Sequence, residues 1–283
     1  MRKNELCALM AALLITAIWG CALQLREPAV AAMAAGDAFS LEALTAAPSA
    51  AQTPAPVFRI ERIHPSAQPQ KKRVLIYHTH TYEAYEQDAD APYPETEKWR
   101  TADESRNVQR VGEALASLLE ALGFEVVHDD GVYEPPNLST SYARSLEMLE
   151  RRQKDGETYD LYIDLHRDAY ASAKPGDNTV KIGGEDVARL MLLIGKGEGY
   201  TQAGYEQRPQ WNKNLAVAEN ITDALNEQAR GLCKNVCIKS GRFNQHVADC
   251  CVLIEAGNNR NTLSSVLAAM PYLADAVADA LSD

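Results

Sequence analysis

Three short strings in this chain bring imidazoles and carboxylates to places where chemistry is done. His78-Thr79-His80-Thr81-Tyr82-Glu83 follows the apolar run Arg73–Tyr77 (RVLIY). Asp164-Leu165-His166-Arg167-Asp168 closes the run Tyr159–Leu165 (YDLYIDL), and Glu255-Ala256-Gly257-Asn258-Asn259 follows Cys250–Ile254 (CCVLI). Two imidazoles and one carboxylate, with a position left for water, are a usual ligand set of a catalytic zinc ion. A further carboxylate beside such a centre can take a proton from water and pass it to a leaving amine. A lone histidine after a strand is more often a hydrogen-bonded loop residue. Three such features at three separate strand ends are harder to dismiss.

The elements that must position these strings alternate. The runs Arg73–Tyr77, Phe124–His128, Tyr159–Leu165, Ala188–Ile194 and Cys250–Ile254 read as buried strands. Between them, Ser105–Leu122 carries apolar residues at Val108, Val111, Leu115, Leu118, Leu119 and Leu122, a helical spacing stopped by Gly123. Ser139–Arg152, Trp211–Gly231 and Thr262–Leu281 complete the helices, the last capped near Asn261. Repeated strand–helix–strand order predicts an α/β fold, a mostly parallel twisted sheet with helices on both faces. Ligands in such sheets gather beyond the carboxyl ends of the strands, where the three strings lie.

The rest of the chain says where this domain works. Leu6–Leu25 contains no charged side chain and follows Arg2 and Lys3. As a helix it spans roughly 30 Å, the thickness of a bilayer's hydrocarbon core. The basic pair would stay on the cytoplasmic side and the remainder would be exported. Residues 1–25 are therefore expected to be a transmembrane anchor, favoured over a cleaved signal because the apolar run is long. The Ala-rich stretch Ala29–Ala35 keeps the cleaved alternative open. Cys21 is not expected to carry lipid, since Trp19 stands where a small residue is needed. Residues 26–70, Ala- and Pro-rich, read as a flexible tether, which leaves 71–283 as the catalytic domain. With 28 basic and 39 acidic residues the formal net charge is −11, which disfavours a nucleic-acid partner.

The strings VLIYHTHTYEAY, NVQRVGEALASLLEALGFEVVHD, DLHRD and IEAGNNRN, in that order, resemble the stage II sporulation protein P family. The resemblance runs from about Arg73 to the C-terminus. More distantly the domain is similar to zinc-dependent N-acetylmuramoyl-L-alanine amidases. It implies a membrane-anchored, Zn2+-dependent hydrolase of septal peptidoglycan, outside the cytoplasmic membrane in the intermembrane space of a sporulating cell. It also implies membrane neighbours, a lytic transglycosylase of the same sporulation complex and a membrane scaffold protein. Carried over residue by residue, it makes His80, Glu83 and His166 the metal ligands and Glu255 the catalytic carboxylate. Asn258 stands where the amidases often have Phe, a departure in the pocket. His78 rivals His80, only one of the two being expected to face the metal; His80 is preferred because it lies at the loop. Asp103 or Glu104 rivals Glu83, because in the amidases the carboxylate begins the first helix. Arg167 and Asp168 either orient His166 or form a surface ion pair.

The implied reaction cleaves the amide between N-acetylmuramic acid and L-alanine. A zinc peptidase cutting stem-peptide cross-links and a non-catalytic wall-binding scaffold are the alternatives. Cys233, Cys237, Cys250 and Cys251 have the wrong spacing for a structural zinc site. An exported domain permits a disulfide, for example Cys237 with Cys250 or Cys251, although Cys251 also reads as a small buried hydrophobe.

Overall fold

Strand β1 (Arg73–Tyr77) is the first element among the described residues, a short apolar run buried at four of its five positions. The computed structural model describes residues 71–169, 174, 177–199 and 205–282. The expected anchor and tether lie outside the described residues. Among those described, no helix is long and apolar enough to cross a membrane.

Helix α1 (Val108–Ala121) starts at Asn107, whose side chain accepts from the Gln109 amide at 2.9 Å. It ends before Gly123, which takes a φ of 99°. Strand β2 (Glu125–His128), a short 3-10 turn (Leu138–Thr140), helix α2 (Ser141–Lys154) and strand β3 (Leu161–Asp168) follow. Beyond them come β4 (Thr179–Ile182), β5 (Glu185–Ala188), β6 (Leu190–Gly195), helix α3 (Trp211–Gln228), β7 (Cys237–Lys239) and β8 (Cys251–Asn258). Helices α4 (Leu263–Leu267) and α5 (Met270–Leu281) close the chain.

The main sheet has the order β2-β1-β3-β8-β6-β7. Strands β2, β1, β3 and β8 are parallel, whereas β6 runs antiparallel to β8 and β7 is parallel to β6. The expected mostly parallel α/β sheet is present, with an antiparallel flank. One face buries Val74, Ile76, Leu161, Ile163, Leu165, Val252 and Ile254 in the core with residues of α1, α3 and α5. The other face is thinner: Leu75, Tyr77, Tyr162 and Cys251 pack with Met148 and Leu149 of α2. Burial on both faces explains why β1 and β3 read as continuous apolar runs rather than alternating ones.

Several expectations are corrected. The single strand Ala188–Ile194 is two, because β5 pairs with β4 in a separate hairpin turned by Gly183 and Gly184, both at positive φ. The single helix Thr262–Leu281 breaks after Leu267, and Pro271 sits in the first turn of the second piece, where its missing N–H costs nothing. The cap of α4 is Thr262, which accepts from the Ser265 amide, next to Asn261 as expected. The four cysteines among the described residues are free, so the suggested disulfide is absent. Cys237 stands on β7, two strands away from β8, too far in the sheet for its sulfur to meet Cys250 or Cys251.

Candidate active site

Residues two apart on a strand share a face, so Asp164 and His166 of β3 point to the α2 side together with Tyr162. Glu255 of β8 follows Cys251 and Leu253 on that same side, and its Cα pairs with that of His166. Strand β1 ends at Tyr77, and the chain turns through Thr79 and His80. That turn separates the two candidate histidines. His78 keeps the alternation of Val74 and Ile76 and points to the α1 side, bonding Leu165 O and His128. His80 swings to the α2 side, its ring centroid 5.2 Å from that of His166.

Glu83 arrives on the excursion that follows. Its carboxylate Oε2 is 3.5 Å from His166 Nδ1 and accepts from the Arg167 amide at 3.1 Å. The excursion is clamped by Arg167, whose guanidinium donates to Ala84 O and Trp99 O at 3.0 and 3.2 Å. Glu134 adds a second clamp, pairing with Arg100 and accepting from the Tyr82 amide. Beside it, a recess of about 220 Å³ is lined by Tyr82, Arg100, Glu134 and Leu138. His80, Glu83, His166 and Glu255 are thus brought together. Asp103 is occupied with the Ser105 amide and hydroxyl, and Glu104 is exposed away from the site.

Asp164, which sequence reasoning passed over, is the buried anchor of the cluster. It accepts from the Thr79 amide (2.9 Å) and hydroxyl (2.7 Å), and its Oδ1 lies 2.8 Å from His166 Nε2, off the hydrogen-bond direction. Its position two before His166 was the available signal. Thr79 also meets Ser145 of α2 (2.9 Å), which accepts from Asn244 (3.1 Å). Arg167 and Asp168 divide: the first holds the Glu83 loop, and the second faces Lys234 at 3.7 Å. They form no pair with each other. The ring of Tyr142, at the start of α2, lies edge-on to His80 at 5.5 Å and nearly parallel to His166 at 6.4 Å.

The electrostatics are those of a tight polar cluster under apolar cover. Burial opposes charge on His166, but Asp164 and Glu83 override it and hold the imidazole well above its ordinary pKa. Burial also works against an ionised Glu83, yet His166, Arg167 and His80 bring its carboxyl down to about 2. Burial and the neighbouring His166 lower His80 to about 4. Burial pushes Glu255 up to about 8, opposed by His166 and helped by Glu83. The Asp164 and Glu83 carboxylates thus favour a charged His166 beside an ionised Glu83, while burial favours a neutral His80 and a protonated Glu255.

The donor set suits a zinc ion, with two imidazoles and a carboxylate. His80 Nδ1 is buried with no hydrogen-bond partner, as is Glu255 Oε2. Each is an uncompensated polar atom that a ligand or ordered water would satisfy. Among the described residues no three His, Cys, Asp or Glu side chains already stand as a metal cage. Glu83 Oε2 and His166 Nδ1 stand 3.5 Å apart, a separation that two donors of one tetrahedral zinc can take.

The chain matches the family described as Stage II sporulation protein P over residues 34–278. Stage II sporulation protein P of Bacillus subtilis (strain 168) is 28% identical over 224 residues, covering 75% of this chain and 51% of that protein. The chain therefore spans about half the length of that relative. Among solved structures, the CwlD amidase from Clostridioides difficile in complex with the GerS lipoprotein aligns at a TM-score of 0.47 and 12% identity, covering 75% of this chain and 96% of that one. The catalytic domain of the CD27L endolysin targeting Clostridia Difficile aligns at 0.45 and 13%, covering 74% and 96%. These two likenesses are distant, and the family rests on the sequence match, which covers most of the chain. The protein belongs to the stage II sporulation protein P family.

Proposed function

We propose that this protein is a zinc-dependent peptidoglycan hydrolase that cleaves the amide between N-acetylmuramic acid and the L-alanine of the stem peptide. The observation that carries the reading is the meeting of His80, Glu83 and His166 at one point of the sheet, with Glu255 directly across from His166. Family membership supplies the sporulation setting.

In this reading His80, Glu83 and His166 hold the metal. Zinc, when bound, polarises a carbonyl and acidifies water at neutral pH. Glu255 handles the protons. Its carboxylate takes one from the attacking water and returns it to the amine of L-alanine as the C–N bond breaks, so one water is consumed per amide. A carboxyl raised to about 8 in the metal-free site is brought back towards neutrality by a nearby cation, within the range where acid–base exchange is efficient. Asp164, held by Thr79, places a carboxylate 2.8 Å from His166 Nε2, leaving Nδ1 on the Glu83 side for the metal. Arg167 holds Glu83 in place through its own backbone amide and the carbonyls of the excursion.

Residues 1–25 are proposed to anchor the chain in the cytoplasmic membrane with the catalytic domain outside, the tether giving it reach. A lytic transglycosylase and a membrane scaffold protein of the sporulation complex are the proposed partners. The test is mass spectrometry of purified wall digested by the full chain. Lactyl-terminated glycan and intact peptides beginning with L-alanine are expected. New amino groups inside the stem peptide would make the protein a peptidase, and wall that binds but is not cut would make it a scaffold.

A further inference from the structure

His78 lies on the far side of the sheet from the site, is fully buried, and is not used by the chemistry above. The backbone ladder between β1 and β3 ends with Tyr77 paired to Asp164. One residue on, the chain turns away, yet β3 continues, and the Leu165 carbonyl needs a donor from the β1 side. His78 Nδ1 stands 2.8 Å from that oxygen. A carbonyl only accepts, so Nδ1 carries the proton and Nε2 is left with a lone pair. His78 Nε2 is 2.9 Å from His128 Nε2, so His128 must be the donor there. His128 ends β2, and the two rings meet edge-on at 5.2 Å. Helix α1 is cut away to admit them, since a Cβ at Gly112 would lie 2.5 Å from His78 Nε2 and 2.6 Å from His128 Nε2.

We propose that His78 is a positioning residue: its imidazole replaces a backbone N–H in the β1–β3 ladder and, braced by His128 under Gly112, sets the spacing of His80 and His166. The bonded carbonyl belongs to the peptide unit that leads into His166, and His80 is two residues from the ring that bonds it. One side chain therefore ties the backbone of both proposed ligands. The inference rests on the proposed ligand set, and its principal readout is metal affinity, which does not require wall cleavage.

The experiment uses the full chain and measures zinc affinity by chelator competition and the visible spectrum of the cobalt-substituted protein. Loss of a hydrogen bond behind a metal ligand typically weakens affinity about 10–100-fold. His78→Leu is expected to show that loss with an altered cobalt spectrum, and His78→Asn, which keeps an N–H near the position of Nδ1, to recover most of it. Leu225→Ala, a core change on α3, gives a comparison of similar destabilisation and should leave affinity unchanged. If His78→Leu fails to fold, His128→Leu against His128→Gln is read in the same way. The proposal is overturned if the Leu variants bind zinc as tightly as the wild type with the same spectrum. It is equally overturned if Leu225→Ala weakens binding as much. Complete loss of zinc that Asn does not restore would make His78 a ligand and also overturn it. A wild type that binds zinc without cutting wall sinks the proposed reaction and leaves this inference to be decided by affinity, whereas a wild type that takes up no zinc overturns both.

Discussion

Replacing Glu255 with Gln should stabilise the metal-free protein at alkaline pH while abolishing its proposed chemistry. Glu255 is half-buried on the α2 side of β8, and its Oε2 is buried with no hydrogen-bond partner. Burial raises it from the ordinary 4.5 to about 8. The folded protein therefore keeps a proton that the unfolded chain gives up, and folding takes up that proton between these two pH values. Stability consequently falls as pH rises through the window, with the full penalty present above 8 and none below 4.5. A tenfold change in proton affinity corresponds to about 1.4 kcal/mol, so the penalty has an upper bound of about 5 kcal/mol, and local relaxation or water entry would leave a few. Gln has nearly the same shape and cannot ionise, so it escapes the penalty. Denaturant unfolding of both zinc-free proteins at pH 4.5 and pH 8.5 measures the effect. Wild type should lose stability relative to Glu255→Gln on going to the higher pH, and the two should be close at the lower. Parallel pH dependence in the two proteins would refute the reasoning, because it would mean that the Glu255 carboxyl is not held protonated by burial.

Three further outcomes follow from the same geometry. The Lys71–Asp283 fragment should fold without the first 70 residues, since it contains the whole packed core of the described residues, from Val74 to Val277; a fragment without cooperative unfolding would contradict this. Asp164→Asn removes one of the two acceptor oxygens that Thr79 uses and the negative charge facing His166, and should cost about 1–3 kcal/mol in unfolding free energy and about 10–100-fold in zinc affinity. Denaturant titration and chelator competition check this, and wild-type values in both would remove Asp164 from the site. Zinc uptake at pH 7 should release protons, because His166 is held charged and Glu255 protonated in the metal-free site. Calorimetry in buffers of different ionisation enthalpy counts them, and a count of zero would mean that the ion pair with Glu83 does not occupy the metal position.

The sequence made the site legible where apolar runs end in polar strings. RVLIY and YDLYIDL announce buried parallel strands, and the carboxyl ends of β1, β3 and β8 carry the candidates as the parallel topology requires. Strand alternation could not separate His78 from His80, because residues two apart share a face; the end of β1 at Tyr77, set by tertiary packing, separates them. Asp164 was readable in principle, since an acidic residue two before a strand histidine must point the same way, but within YDLYIDL it passes for an ordinary strand residue. The Gly183-Gly184 pair and Pro271 were local signals for the β4–β5 hairpin and for the break between α4 and α5. The short edge strand β7 carries no comparable signal, as its three residues gain their place only by pairing with β6.

The central claim is that His80, Glu83 and His166 hold a catalytic zinc while Glu255 moves protons. Zinc bound per chain, measured beside wall turnover for Glu255→Gln and Glu83→Gln, tests it most directly. Glu255→Gln should keep about one zinc per chain and lose at least about 100-fold in turnover, whereas Glu83→Gln should lose zinc and turnover together. Loss of zinc from Glu255→Gln, with Glu83→Gln retaining both zinc and rate, would exchange the two roles and contradict the account.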